Sequence, residues 1–208
     1  MRVVKEAEER KKEILDVAEA FFMTKGYEAT GTNDILNAVG IARGTLYYHF
    51  KSKEEILDAV IERFSEKLAV QARAVAANKE IPVFDRIALS VIAMNSNTEL
   101  GRELTEQMHK PQNALLHQKS QKKLLSLINP IISGLIKEAV EQGICSTDYP
   151  DEMVDMIMIY SNQAFDDLAE LSEEERIKKV FGFIYNVERL LCVEEGSLQK
   201  AILPIFQK

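Results

Sequence analysis

Between Gly40 and Lys53 the chain carries Arg43, Lys51 and Lys53 with no acidic residue, interleaved with Thr45, Tyr47, Tyr48 and His49. These residue types share one chemistry: they donate hydrogen bonds to carbonyl or anionic oxygens and offer flat rings to apolar groups. On a short helix laid in the major groove, the Arg43 guanidinium can donate two hydrogen bonds to a guanine edge. Thr45, Tyr47 and Tyr48 can touch thymine methyls, sugars or phosphates, and His49 and Lys53 are placed to face phosphate. Gly44 lets the backbone approach where a side chain would hold it off.

Nothing elsewhere competes with that window as a reaction centre. The three histidines, His49, His109 and His117, share no motif with Cys145 or Cys192. A nucleophile with its base, a metal constellation and a phosphate loop are therefore all missing, and no catalytic residue, metal or cofactor is expected. The two cysteines lie far apart with no partner at metal spacing, and both are expected to be structural. The chain is not expected to be an enzyme.

The elements that position the window follow from spacing. With nine glycines and five prolines in 208 residues, and apolar residues recurring at three and four, the chain reads as helical throughout. A first helix over about 6–25 carries the stripe Ile14, Val17, Ala18, Phe21 and Phe22 and stops at Gly26. A helix of about eight residues with Ile35, Leu36 and Val39 follows, with cap candidates at 30–32 and Gly40 as its stop. After a Gly-containing turn, a third helix over about 43–50 places Leu46 and Phe50 on one face, which turns Tyr47, Tyr48 and His49 away from it. Two short helices joined in this way are the helix-turn-helix pattern. Ser52-Lys53-Glu54-Glu55 fits a capping box opening a long amphipathic helix to about Ala77. Further helices are expected over about 83–94, 98–109, 113–142, 151–169, 173–192 and 198–206, with a kink or break at 126–130 caused by Pro130.

The residues Gly26-Tyr27, Asp34-Ile35, Val39-Gly40-Ile41, Gly44-Thr45-Leu46-Tyr47-Tyr48-His49-Phe50 and Lys51-Ser52-Lys53-Glu54 resemble the N-terminal signature of TetR-family transcriptional regulators. The resemblance covers roughly residues 8–64; the rest matches only in being all-helical. It implies a three-helix DNA-binding domain over 8–68, with the helix-turn-helix at about 31–50. A long helix links it to a helical ligand-binding and dimerisation domain over 69–208. By the same likeness Thr32 and Asn33 join the contact candidates. Two positions depart from the family: Gly31-Thr32-Asn33 stands where paired threonines are common, and Ala42 where a serine often caps the recognition helix. Loss of that cap costs about 1 kcal/mol.

The implied partners are double-stranded DNA with a near-palindromic operator, a small-molecule effector and a second copy of the chain. The function that follows is a ligand-responsive repressor; its rival is a helical protein-interaction adaptor with a degenerate head. Two almost wholly apolar helices support the dimer independently. Val154, Ile157, Met158, Phe165, Ile177, Val180, Ile184, Val187 and Leu191 are its expected interface residues. Met94, Met108, His109, His117, Tyr160, Asn162, Gln163, Phe165 and Asp166 are of types that line effector cavities. Glu99, Glu103 and Glu106 fall opposite Leu100, Leu104 and Met108 and read as a solvated face. The net charge of −7 means that positive charge acts only locally, so two heads gripping one site must replace bulk attraction. The longest uncharged stretch, 124–136, is too short and polar to span a bilayer, and no secretory apolar run follows the charged first residues, so a cytoplasmic location is expected.

Overall fold

A computed structural model describes residues 7–94, 110–165 and 171–206. Every regular element among the described residues is helical: α1 (Ala7–Thr24), α2 (Thr32–Val39), α3 (Arg43–His49), α4 (Lys53–Ala77) and α5 (Val83–Met94) come first. A 3-10 turn at Pro111–Asn113 then leads into α6 (Ala114–Glu141), followed by α7 (Pro150–Ala164), α8 (Glu173–Leu190) and α9 (Gln199–Phe206). No helix among the described residues is long and apolar enough to cross a membrane. The chain forms two compact units, residues 1–66 with 97–123, and residues 67–96 with 124–208. The division therefore falls inside α4 and again inside α6.

In the first unit, Ile14, Ala18 and Phe22 recur every fourth residue along α1 and are fully buried. They meet Ile35 of α2, Leu46 of α3, Phe50, and Ile56, Leu57, Val60 and Ile61 of α4. Leu116 of α6 closes the same core, which is why this unit includes a segment remote in sequence. Each such large apolar side chain contributes about 1.5–3 kcal/mol on burial. Gly26 ends α1 with φ +89°, and a Cβ there would stand 2.8 Å from Gln112 Cγ, so both backbone and packing demand glycine. Thr30 does not cap α2 as expected. Its hydroxyl is buried and donates to the Gly26 carbonyl at 2.8 Å, closing the turn after α1. The cap is Gly31, whose N–H donates to the Asp34 carboxylate at 2.9 Å.

Half of the capping box at α4 has the expected form, with Glu55 N–H donating to the Ser52 hydroxyl at 3.1 Å. The Glu55 carboxylate reaches one residue further back, to the Lys51 N–H at 2.6 Å. Arg63 of α4 donates to Asp16 at 2.6 Å and to Glu19, fixing α1 against α4. On the other side Lys119 of α6 bridges Glu54 and Asp58 at 2.7 Å each, and Lys123 pairs with Glu62 at 2.5 Å. Those two carboxylates, Asp58 first, raise the Lys119 pKa.

In the second unit, Arg86 of α5 is almost fully buried. Its guanidinium donates to the carbonyls of Ile81 and Ala76 at 3.0 Å each and to the Glu138 carboxylate of α6. Hydrogen bonds from Arg86, then Lys79, hold the Glu138 carboxyl down at about 2. Of the kink or break expected at 126–130, the break is absent: α6 runs through Pro130 as one helix. Ile128 and Ile132 are buried on either side, and burial of that face outweighs one missing backbone hydrogen bond. α7 ends at Ala164, short of the expected residue 169. α8 is capped by Ser172, whose hydroxyl and the Glu175 carboxylate cap each other's backbone N–H groups. Glu188 near the end of α8 is buried and accepts the N–H groups of Gly196 and Leu198 at 2.9 Å each. That seats the turn from which α9 starts and packs on α5 and α8. The helix expected over 98–109 lies outside the described residues.

Candidate nucleic-acid interface

The exposed face of α3 follows from what the helix buries. Leu46 and Phe50 are 1% and 3% exposed and hold α3 to the core, so every other direction of this seven-residue helix is free to present side chains. Arg43, Gly44, Tyr47 and Tyr48 are exposed, with Tyr48 reaching 79%, so it is not a packing residue. Thr45 and His49 are half-buried, and the His49 ring meets that of Tyr48 edge to face at 5.1 Å. Asn33 is exposed and Thr32 half-buried at the start of α2.

Arg43 does not hang loose. Its guanidinium lies 5.6 Å from the centre of the Tyr47 ring one turn on. Hydrogen bonds from Arg43 first, and then from Thr32, draw the Tyr47 phenol below its ordinary pKa. Thr32, Arg43 and Tyr47 thus form one cluster linking the starts of α2 and α3. Ala42 caps α3 with backbone only and gives no side-chain cap. Gly44 has open space where a Cβ would stand and no positive φ, so the fold itself does not require glycine there. Lys53 turns partly inward. Its ammonium donates to the Tyr27 carbonyl at 2.9 Å and lies 4.1 Å from the centre of the Tyr27 ring.

The residues expected to line an effector cavity fall in both units. Met94 is buried in the second unit, while His117 belongs to the first, its ring nitrogen 3.0 Å from Gln121. Tyr160 and Gln163 are exposed and Asn162 and Phe165 half-buried. Met108, His109 and Asp166 lie outside the described residues, as do Glu99, Leu100, Glu103, Leu104 and Glu106. Tyr160 and Phe165 instead join Phe183 and Phe206 in a group of rings with centres 4.5–6.2 Å apart. Two surface depressions, one lined by Glu173, Glu174, Ile177 and Lys178 and the other by Arg10, Glu13, Asp16, Val17, Ala38 and Val39, contain none of these candidates. Among the described residues no group of His, Cys, Asp and Glu could hold a metal ion.

The interface expectation needs correction by one helical face. Val154, Val180, Ile184, Val187 and Leu191 are at most 7% exposed and are covered by the protomer's own core. Ile157, Met158 and Phe165 are half-buried, and Ile177 is exposed. Besides Leu190 at the end of α8, the large apolar residues left uncovered are Met156, Ile159 and Tyr160 on α7, and Ile177, Phe181 and Tyr185 on α8, each of these six between 43% and 60% exposed. Spacings of three and four put each set on one stripe, which was a readable signal. What could not be read was which of two apolar stripes faced inward.

Residues 14–60 match the family model described as bacterial regulatory proteins, tetR family, and residues 93–185 match a tetracyclin repressor-like C-terminal domain. The HTH-type transcriptional repressor KstR2 of Rhodococcus jostii is 39% identical over 69 residues, 33% of this chain and 34% of that protein. The HTH-type transcriptional regulator TtgR of Pseudomonas putida is 32% identical over 80 residues, 38% of each. The chain thus aligns with roughly a third of the length of these relatives. Among solved structures, RolR in complex with its ligand resorcinol superposes with a TM-score of 0.63 at 16% identity, covering 94% of each chain. Salmonella enterica GusR gives 0.60 at 20% identity, covering 91% of this chain and 98% of its own. Those identities carry the fold alone.

Proposed function

Because this chain belongs to the tetR family of bacterial regulatory proteins, we propose that it is a ligand-responsive repressor that binds a near-palindromic DNA operator as a homodimer. The observation that carries this is the outward face of α3, where Arg43, Gly44, Tyr47 and Tyr48 stand exposed without an acidic neighbour while Leu46 and Phe50 anchor the helix. In the groove, Arg43 reads a guanine edge, while Tyr47, Tyr48, His49, Thr32 and Asn33 touch sugars, methyls and phosphates and Thr45 supports them. Lys53 keeps ammonium donors beyond the one given to Tyr27, and these serve a phosphate.

The uncovered stripes Met156, Ile159, Tyr160 and Ile177, Phe181, Tyr185 form the self-complementary surface of the dimer, as an isologous contact requires. Two copies of α3 about 34 Å apart then enter successive major grooves. That the similar protein RolR is solved with resorcinol supports a small-molecule effector. An effector releases DNA by binding one arrangement of the two heads better than the other, and α4, which holds residues of both units, is the element that carries the change.

Selection of bound fragments from random DNA, followed by affinity measurement over a salt series, tests the reading. A palindromic consensus with half-sites one helical turn apart is expected, with affinity falling steeply as salt rises. Equal binding to all duplexes at low ionic strength would reject it.

A further inference from the structure

Three helices of this chain end with the same pair of backbone hydrogen bonds. After α2, Gly40 N–H donates to Asn37 O at 3.2 Å and Ile41 N–H to Leu36 O at 3.0 Å. After α6, Gly143 and Ile144 repeat the pattern onto Val140 and Ala139, and after α8, Cys192 and Val193 repeat it onto Arg189 and Glu188. The motif holds its first residue in the left-handed region, where a Cβ crowds the backbone and glycine is therefore the usual occupant. Gly40 and Gly143 obey, at φ +72° and +70°; Cys192 does not, at φ +54°, and is the one non-glycine with positive φ among the described residues. A strained side chain held where glycine would relieve the strain points to a use for its reactive atom.

The other cysteine of the chain lies at the same junction. Ser146 N–H donates to Leu191 O at 2.9 Å, so the peptide units Cys145–Ser146 and Leu191–Cys192 abut. Covalent geometry then confines the two cysteine Cα atoms to within about 8 Å of each other, and a disulfide needs roughly 4.4–6.8 Å. Cys192 is exposed and Cys145 buried, both as free thiols. Burial raises the Cys145 pKa, and the neighbouring Cys192 thiolate raises it further, so the two groups lie within electrostatic reach.

We propose that Cys145 and Cys192 are a thiol–disulfide site, oxidised to an intramolecular bridge by low-molecular-weight disulfides. The exposed Cys192 thiolate attacks one sulfur of such a disulfide, forming a mixed disulfide and expelling one thiolate. The Cys145 thiolate then attacks Cys192 Sγ and expels the second. The two cysteine protons end on the two released thiols; the cysteines are oxidised and the small disulfide is reduced. The bridge ties the turn after α6 to the turn that Glu188 seats before α9.

Intact-mass and peptide-map measurements on the folded full chain after incubation with oxidised glutathione test this. The wild type is expected to lose two hydrogen atoms, retain no glutathione and recover fully with dithiothreitol, the peptide map joining Cys145 to Cys192. Cys145→Ser is expected to stop at a glutathione adduct on Cys192, and Cys192→Ser to stay unmodified. A persistent adduct on the wild type, no reaction, or covalent dimers through Cys192 would overturn the proposal. Cys192→Gly is expected to melt no lower than the reduced wild type; a large fall would mean that the side chain is kept for packing, and would likewise overturn it.

Discussion

Two exposed surfaces of this molecule differ in kind. On α3 the outward residues are polar-aromatic and cationic, and Tyr48 at 79% exposure is the extreme case. On α7 and α8 they are apolar, and Ile159 at 60% exposure has no polar atom to offer a partner. Water solvates the first surface adequately and the second poorly. Solvent-facing residues therefore reveal a partner's chemistry only when read against what the same helix buries: Leu46 beneath Tyr47 and Tyr48, Ile184 and Val187 beneath Phe181 and Tyr185.

The largest effect expected from this contrast comes from charging the apolar surface. Ile159→Glu with Phe181→Glu should yield monomers by light scattering and lower operator affinity by about 10²–10⁴-fold through lost bivalency. The same exchange at buried Val154 or Ile184 should unfold the second unit instead. On the polar face, Arg43→Ala should relax base preference at one position of the half-site by about 1–3 kcal/mol, read by competition among operator variants. Stability should be little changed, because Arg43 is exposed.

A third test concerns the charged clasp inside the second unit. The Glu138 carboxyl is held at about 2, against an ordinary 4.5. A depressed carboxylate stabilises the fold above its unfolded pKa, and that contribution drains away as pH falls from about 4.5 toward about 2. Thermal melts of wild type and Glu138→Gln should differ most near neutrality and converge through that window. A constant gap down to the lower limit would show that the ion pair is not the source.

The smallest expected effect separates folding from binding at a single atom. Gly44→Ala meets open space in the free protein, so denaturant melts should show a gain of up to about 0.5–1 kcal/mol from helix preference. Affinity for DNA should fall at the same time, because the added methyl stands between backbone and groove. A variant that gained on both counts would remove Gly44 from the interface.

The head was readable because local signals and packing agree there. Gly26 and Gly40 stop helices where left-handed φ is needed, and Ile14, Ala18 and Phe22 present one unambiguous stripe. Its exceptions are side chains with two available partners: Thr30 turned back to the end of α1, and Lys53 found the Tyr27 carbonyl. The interface of the second unit was less readable. α8 carries two apolar stripes, Val180-Ile184-Val187-Leu191 and Ile177-Phe181-Tyr185, and hydropathy alone does not rank one inside the other.

From the amino-acid order alone came the helical class, the turn between α2 and α3, and the residue types exposed on α3. These depend on local backbone preference and on a single apolar face per helix. Tertiary packing alone decided that a segment near Leu116 completes the head's core, that α6 passes through Pro130, and that the backbone at Ser146 meets that at Leu191. It also decided which stripe of α8 the protomer leaves uncovered. Each of those outcomes turns on contacts between residues far apart in the chain, whose burial outweighs local preferences and leaves no periodic trace in either segment read by itself.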